Sequence, residues 1–354
     1  MKRAQDNVSY IVSILKGDKP SIVPNWFEAI GFLFCNKIAG LFYNKAKILG
    51  IDMPKKIEFI LRDIFNKQAR SVACKREFIK EISNVLGDCD AKYAFLKGSV
   101  LSNSQFDVKQ IYVDGERVSN DIDILVLPSN ITAVGNALRN MGFVQGRFDY
   151  KCKEIIEFSR TEIIKRRMTR GEVAPFVKLT GNPEFPFIEI DLNFSLGNTP
   201  NDKQDLLQAI LDSTKYDGGK VGLYKPSNEM FFIHLIMHQY KESCLYFMVQ
   251  RSKELDIYKL ADIYYMLKNN VVDLNILDGI VKQYDIAERV GAVLQQVGDV
   301  FEDTRILEIA REYGGKQPLV IDYENKRQFA WQASISERIR AFSALELLKE
   351  VSQC

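Results

Sequence analysis

Apolar residues fall at helical spacing along the first stretch of the chain. Trp26-Phe27, Ile30, Leu33-Phe34, Ile38 and Leu41-Phe42 form one such series. Its most apolar part, Ile30 to Tyr43, predicts a buried helix; Asn36 and Lys37 interrupt it, and it is shorter than the roughly 20 apolar residues a membrane span needs. Pro54 stands where the next helix would begin. Ile57, Ile60-Leu61, Ile64-Phe65, Phe78-Ile79, Ile82 and Val85-Leu86 keep the same period until Gly87-Asp88 stops it.

The texture changes at Lys92. Tyr93 to Leu96 is a short apolar run ending near Gly98, which predicts a buried strand, and Gln110 to Val113 predicts another. Asp121-Ile122-Asp123-Ile124-Leu125-Val126-Leu127 alternates and then turns wholly apolar, as an inner strand does, and Pro128 ends it. Ser129-Asn130 can cap a following helix with Val134, Leu138 and Met141 inward and Gly142 after its end. Glu172 to Thr180 and Phe185 to Phe194 predict two strands joined by Gly181-Asn182-Pro183-Glu184. From about residue 201 the helical period returns at Leu206-Leu207, Ile210-Leu211, Met230 to Met237 and Ile257 to Leu267. It continues in that vein to Val351.

Helices, then a strand-rich centre, then helices predict an α+β chain, because strands segregated this way do not build a regular βαβ series. The implied division is an N-terminal helical region (1–88), a central core with a small mixed β-sheet (89–200) and a C-terminal helical domain (201–354). The 354 residues, 46% hydrophobic and 27% charged, allow a sizeable core. A net charge of +2 calls for neither a nucleic-acid nor a membrane partner. No signal peptide follows Met1-Lys2-Arg3. Cys35, Cys74, Cys89, Cys152, Cys244 and Cys354 are scattered without a Cys-x-x-Cys pair, which fits free thiols in the cytoplasm.

Candidate chemistry concentrates in the centre. Gly98-Ser99 follows a strand and precedes a helix, where backbone amides can approach a phosphate. Asp121 and Asp123 lie two apart on a strand, so their carboxylates share a face. Buried side by side they would repel; a divalent cation removes that objection, and hard carboxylate oxygens suit Mg²⁺. Asp191 lies in Phe187-Ile188-Glu189-Ile190-Asp191-Leu192-Asn193-Phe194, where Glu189, Asp191 and Asn193 form one polar face; taken locally, a solvated face explains it. Lys97, Arg117 and the run Lys165-Arg166-Arg167 with Arg170 are basic candidates for phosphate; surface cations are the competing reading of the first two, and a solvated loop is the simpler reading of the run. The two histidines, His234 and His238, share a helix face at i, i+4 spacing; packing within an apolar helix is their simplest reading.

The order Leu96-Lys97-Gly98-Ser99, Asp121-Ile122-Asp123-Ile124-Leu125-Val126, then Asp191 resembles the polymerase-β-like nucleotidyltransferases. A narrower likeness is to the bacterial uncharacterised nucleotidyltransferases, over roughly residues 90 to 270. Lys97-Gly98, Arg117, Asp121 to Val126, Gly142-Phe143, Leu235-Ile236-Met237-His238 and Lys259-Leu260-Ala261-Asp262-Ile263 match that layout. There are two departures. The gap between Ser99 and Asp121 is longer than usual, and Asn193-Phe194 replace the His-Trp that follows the third Asp-Leu in that group.

The resemblance implies an enzyme that moves a nucleoside monophosphate from a nucleoside triphosphate, by expectation ATP, to a hydroxyl of a small-molecule acceptor, with release of pyrophosphate. It implies Asp121, Asp123 and Asp191 as catalytic residues and ligands of two Mg²⁺ ions (Mn²⁺ as a substitute). It implies Lys97, Gly98, Ser99 and Arg117 as nucleotide-binding residues. A protein- or RNA-modifying transferase of the toxin–antitoxin type and a catalytically inactive nucleotide-binding protein are the alternatives.

Overall fold

The computed structural model describes residues 2–21, 23–106, 110–170, 173–197, 202–341 and 343–353, except the side chains of 2–6, 167–170 and 352–353. Four helices come first: α1 (Lys2–Lys16), α2 (Trp26–Cys35), α3 (Ala39–Ile48) and α4 (Lys55–Gly87). The apolar stretch from Ile30 to Tyr43 is not the single helix its pattern predicts. Lys37 sits at φ +55, outside helical geometry, and splits it into α2 and α3. Pro54 and Gly87 bound α4 as expected.

The central segment runs β1 (Tyr93–Phe95), α5 (Lys97–Leu101), β2 (Ile122–Val126), α6 (Ile131–Asn140), β3 (Val144–Asp149), β4 (Glu154–Glu157), α7 (Arg160–Arg170), β5 (Phe176–Leu179) and β6 (Phe187–Asn193). The six strands make one mixed sheet in the order β1-β2-β6-β5-β3-β4. Only the β2–β6 pair is parallel; the other neighbours are antiparallel. All five residues of β2 are buried, which explains why its run loses alternation after Asp123.

Three local expectations are corrected. Gln110 to Val113 is loop, not strand. The Ser129-Asn130 cap does not form: a single 3₁₀ turn, Pro128–Asn130, leads into α6, and the Asn130 side chain makes no capping bond. Strand β5 starts at Phe176, and Glu172, the first residue of the expected strand, lies outside the described residues. Strands β3 and β4 and helix α7 are additions to the expected elements.

Helix α8 (Gln204–Asp212) and the hairpin β7 (Lys215–Asp217) and β8 (Leu223–Lys225) follow. Then come α9 (Asn228–Ser243), α10 (Tyr246–Gln250), α11 (Ile257–Lys268), α12 (Leu274–Gln283), α13 (Ala287–Phe301) and α14 (Thr304–Glu312). The helical texture does not run on to Val351. Strands β9 (Val320–Asp322) and β10 (Arg327–Trp331), the short helix α15 (Ile335–Arg338) and β11 (Leu348–Gln353) close the chain, with a three-stranded antiparallel sheet ordered β11-β10-β9.

The chain divides into two units. One comprises Met1–Gln68, Gly115–Arg117 and Leu235–Cys354; the other comprises Ala69–Asp114 and Val118–His234. The first is helical with the terminal sheet, and its interior holds Ile11, Phe42, Leu260, Val293 and Phe301. The second holds the six-stranded sheet, whose interior includes Phe95, Ile124, Leu138, Phe176 and Ile190. The long Ser99–Asp121 gap has a use in this division, because it carries Gly115–Arg117, three residues of the first unit. Gly115 has φ +102 and lies where a Cβ would come 2.7 Å from the Phe65 carbonyl oxygen, so glycine is required there. Among the described residues no helix is long and apolar enough to cross a membrane.

Candidate active site

Strand register brings the acidic residues together. In the parallel β2–β6 pair Asp123 lies directly across from Asp191, and Asp121 stands two residues before Asp123 on the same face. An oxygen from each of the three carboxylates lies within 4.8 Å of the others. Asp123 is buried, while Asp121 and Asp191 are half-buried.

Two side chains support the charge of Asp123. Its Oδ1 accepts from Lys97 Nζ at 2.8 Å and from Asn193 Nδ2 at 3.2 Å. Burial nonetheless outweighs Lys97, and with the repulsion of Asp121 it pushes the Asp123 carboxyl up to about 6. Three acids stand this close, one of them desolvated and raised in part by the charge of Asp121. Hard oxygen donors in that state fit a divalent cation, so the donor set suits the metal the resemblance implies.

Lys97 begins α5 with φ +46, a region non-glycine residues rarely occupy. The flanking structure holds it there: the Leu96 amide donates to the Asp123 carbonyl at 3.0 Å, and the Lys97 ammonium reaches the Asp123 carboxylate. Gly98 is explained by packing. A Cβ on it would lie 2.6 Å from Ser119 Oγ and 2.7 Å from Ser119 Cβ. Ser99 is buried, and its amide donates to the Leu96 carbonyl at 3.2 Å. The Gly-Ser step therefore forms the turn that sets Lys97 against Asp123.

Arg117 belongs to the first unit, where its guanidinium is committed. Nε and Nη2 donate to the Asp262 carboxylate at 2.8 and 2.7 Å, and the group lies 4.5 Å from the Tyr258 ring centroid. His238 Nε2 lies 3.5 Å from Glu242, which also pairs with Lys259. The basic run lies on α7, where Arg166 stacks 4.3 Å from the Phe158 ring. The side chains of Arg167 and Arg170 lie outside the described residues.

Two site neighbours were not anticipated as such. Asn193, the residue that departs from the family's His, sits two residues after Asp191 and donates to Asp123. Glu189, two residues before Asp191, has its carboxyl raised by burial and by Asp121, with Arg166 opposing. The alternation of β6 is the signal for both: positions 189, 191 and 193 must share a face, and Asp191 at the site brings its neighbours with it.

A mixed sheet presenting three carboxylates beside a strand–turn–helix Lys-Gly-Ser step defines the class as nucleotidyltransferase, an enzyme that transfers a nucleotidyl group. The particular family follows from residues 24–302, which match the family described as uncharacterised nucleotidyltransferase; the chain belongs to it. No curated protein matches the chain.

Proposed function

We propose that the protein moves a nucleoside monophosphate from a nucleoside triphosphate, with ATP as the expected donor, to a hydroxyl of a small-molecule acceptor. The observation that carries this reading is the convergence of Asp121, Asp123 and Asp191 within one family-matched sheet. In the reaction the acceptor oxygen bonds the α-phosphorus, the bond from that phosphorus to the β-phosphate oxygen breaks, and pyrophosphate leaves. Asp121, Asp123 and Asp191 would hold two Mg²⁺ ions, which supply Lewis-acid neutralisation of the phosphate charge. Asp191 takes the proton lost by the acceptor hydroxyl. Lys97, held by the Gly98-Ser99 turn, places its positive charge beside the triphosphate. Asn193 fixes the orientation of Asp123 through its bond to Oδ1. Arg117 acts through Asp262, as a fixed element of the first unit.

The middle stretch of the expected division, 89–200, contains Lys97, Gly98, Ser99, Arg117, Asp121, Asp123, Asp191 and Asn193; of these Arg117 belongs to the first unit and the rest to the second. A cytoplasmic setting is part of this reading, and none of the five described cysteines is in a disulfide.

Calorimetry with each nucleoside triphosphate and Mg²⁺ tests the reading on wild type, Asp121→Ala and Asp123→Ala. Wild type should bind one nucleotide in a metal-dependent way, and both variants should lose that dependence. Absent binding by wild type, or binding unchanged in the variants, would overturn it. The acceptor is then sought as a metabolite that gains a nucleotide mass on incubation.

A further inference from the structure

Three carboxylates serve the two metals in the reading above, and the same strand face carries a fourth. Glu189 lies two residues before Asp191 on β6, about 7 Å along the strand and on the same face. Ile122 pairs with Ile190 across the β2–β6 ladder, so Asp121 and Glu189 stand side by side, one residue before that pair. Glu189 is outside the group of three whose oxygens come within 4.8 Å of one another. Among the described residues it accepts no hydrogen bond and forms no ion pair; Asp121 and Arg166 act on it through their fields, and the repulsion by Asp121 is the larger. The Arg166 guanidinium lies against the Phe158 ring, 4.3 Å from its centroid. A half-buried carboxylate in that position is costly until a cation arrives.

Sheet order tells which substrate meets it. In the order β1-β2-β6-β5-β3-β4, the Lys97 turn that follows β1 lies on one side of Asp123 and Asp191, while β5 and β3 lie on the other. The triphosphate takes the Lys97 side in the reading above, so the acceptor faces β6, β5 and β3. Apolar side chains continue the face there. Leu179 lies directly across from Phe187, which is two residues before Glu189. Phe148 stacks on Phe187 at 4.6 Å, and the Tyr150 ring meets Phe187 edge-on at 5.8 Å. Leu179 and Tyr150 are 48% and 74% exposed, so this surface is open to a ligand. All of these residues belong to the second unit.

Charge points the same way. Two Mg²⁺ ions and a triphosphate roughly offset each other, which leaves Asp121, Asp123, Asp191 and Glu189 set against Lys97 and Arg166. We propose that the acceptor is an amine-bearing alcohol with an apolar body, its hydroxyl at Asp191, its ammonium on Glu189 and its apolar part against Phe187 and Leu179. This rests on the nucleotidyl-transfer reading above and adds the substrate class to it.

Calorimetry on the full-length protein tests the two separately. Each protein is first saturated with Mg²⁺ and the α,β-methylene analogue of the triphosphate that wild type binds, and then titrated with an alcohol. Phenylalaninol carries the hydroxyl, the amine and the apolar body; phenylpropanol lacks the amine, and ethanolamine lacks the body. Phenylalaninol should bind the loaded wild type, with the other two at least about tenfold weaker. Glu189→Gln keeps the shape and removes the charge, so it should weaken phenylalaninol at least about tenfold and leave phenylpropanol unmoved. Leu179→Lys puts a cation at an exposed position of the same face and should weaken phenylalaninol to a similar degree; it decides the matter if Glu189→Gln fails to fold. Wild type that loads but does not bind phenylalaninol, that binds phenylpropanol equally well, or whose affinity survives in the folded variants overturns the acceptor proposal and leaves the nucleotidyl-transfer reading standing. Wild type that does not load overturns both.

Discussion

Replacing Asp123 with Asn should stabilise the metal-free protein while abolishing its activity. Asp123 is 3% exposed, and its carboxyl rises from the ordinary 3.8 to about 6. A rise of that size means the charged form is disfavoured in the folded state by about 3 kcal/mol, at 1.36 kcal/mol for each tenfold change in proton affinity. Asn is close to the same shape and still accepts from Lys97 and Asn193 through Oδ1. It leaves the Lys97 ammonium without its anion, which offsets part of the gain, so about 1–3 kcal/mol is expected.

The sign fixes the pH window. A carboxyl raised on folding costs nothing below the unfolded value near 3.8, and costs fully above about 6. The gap between variant and wild type should therefore open from about pH 4 to pH 6 and stay constant above that. Denaturant unfolding in EDTA across this range reads it directly. Added Mg²⁺ should then raise the wild-type midpoint and leave Asp123→Asn unmoved. A variant less stable than wild type in EDTA at pH 7.5, or a variant that gains as much from Mg²⁺ as wild type, would refute the reasoning.

Other expectations follow from the same contacts. Arg117→Met leaves Asp262 charged and buried, so it should cost about 3–5 kcal/mol in denaturant unfolding, and Arg117→Met with Asp262→Leu should recover much of that; strictly additive losses would contradict it. Gly98→Ala drives a methyl into Ser119 and should cost about 1–3 kcal/mol and lower kcat, whereas adding Ser119→Gly should restore both; no rescue in melting temperature would show that the clash is not the cause. Asn193→Ala should lower kcat by about 10–100-fold with little change in KM, and Asn193→His, the family residue, should keep part of the rate; an unchanged kcat in Asn193→Ala would remove its positioning role.

Much of the site is written in local pattern. The alternation around Asp121 and Asp123 places two carboxylates on one strand face, and the apolar run after them marks a strand buried on both sides. The polar face of β6 is equally visible, yet a solvated face explains it just as well from the sequence. The register of β2 against β6 removes that ambiguity by setting Asp191 opposite Asp123. Strand β3 carries Gly146 and Arg147 in place of a clean alternation, and β9 has three residues, so neither offers a period long enough to read.

The sequence by itself determined the family resemblance, the α+β order and the shared strand face of Asp121 and Asp123, because side-chain alternation and helical period are properties of neighbouring residues. Tertiary structure alone decided the bond from Asn193 to Asp123, the commitment of Arg117 to Asp262 at a separation of 145 residues, and the place of Glu189 beside Asp121. These contacts depend on strand register and on which distant segments pack together. That choice is made by the burial and hydrogen bonding of the whole chain, which no local period encodes.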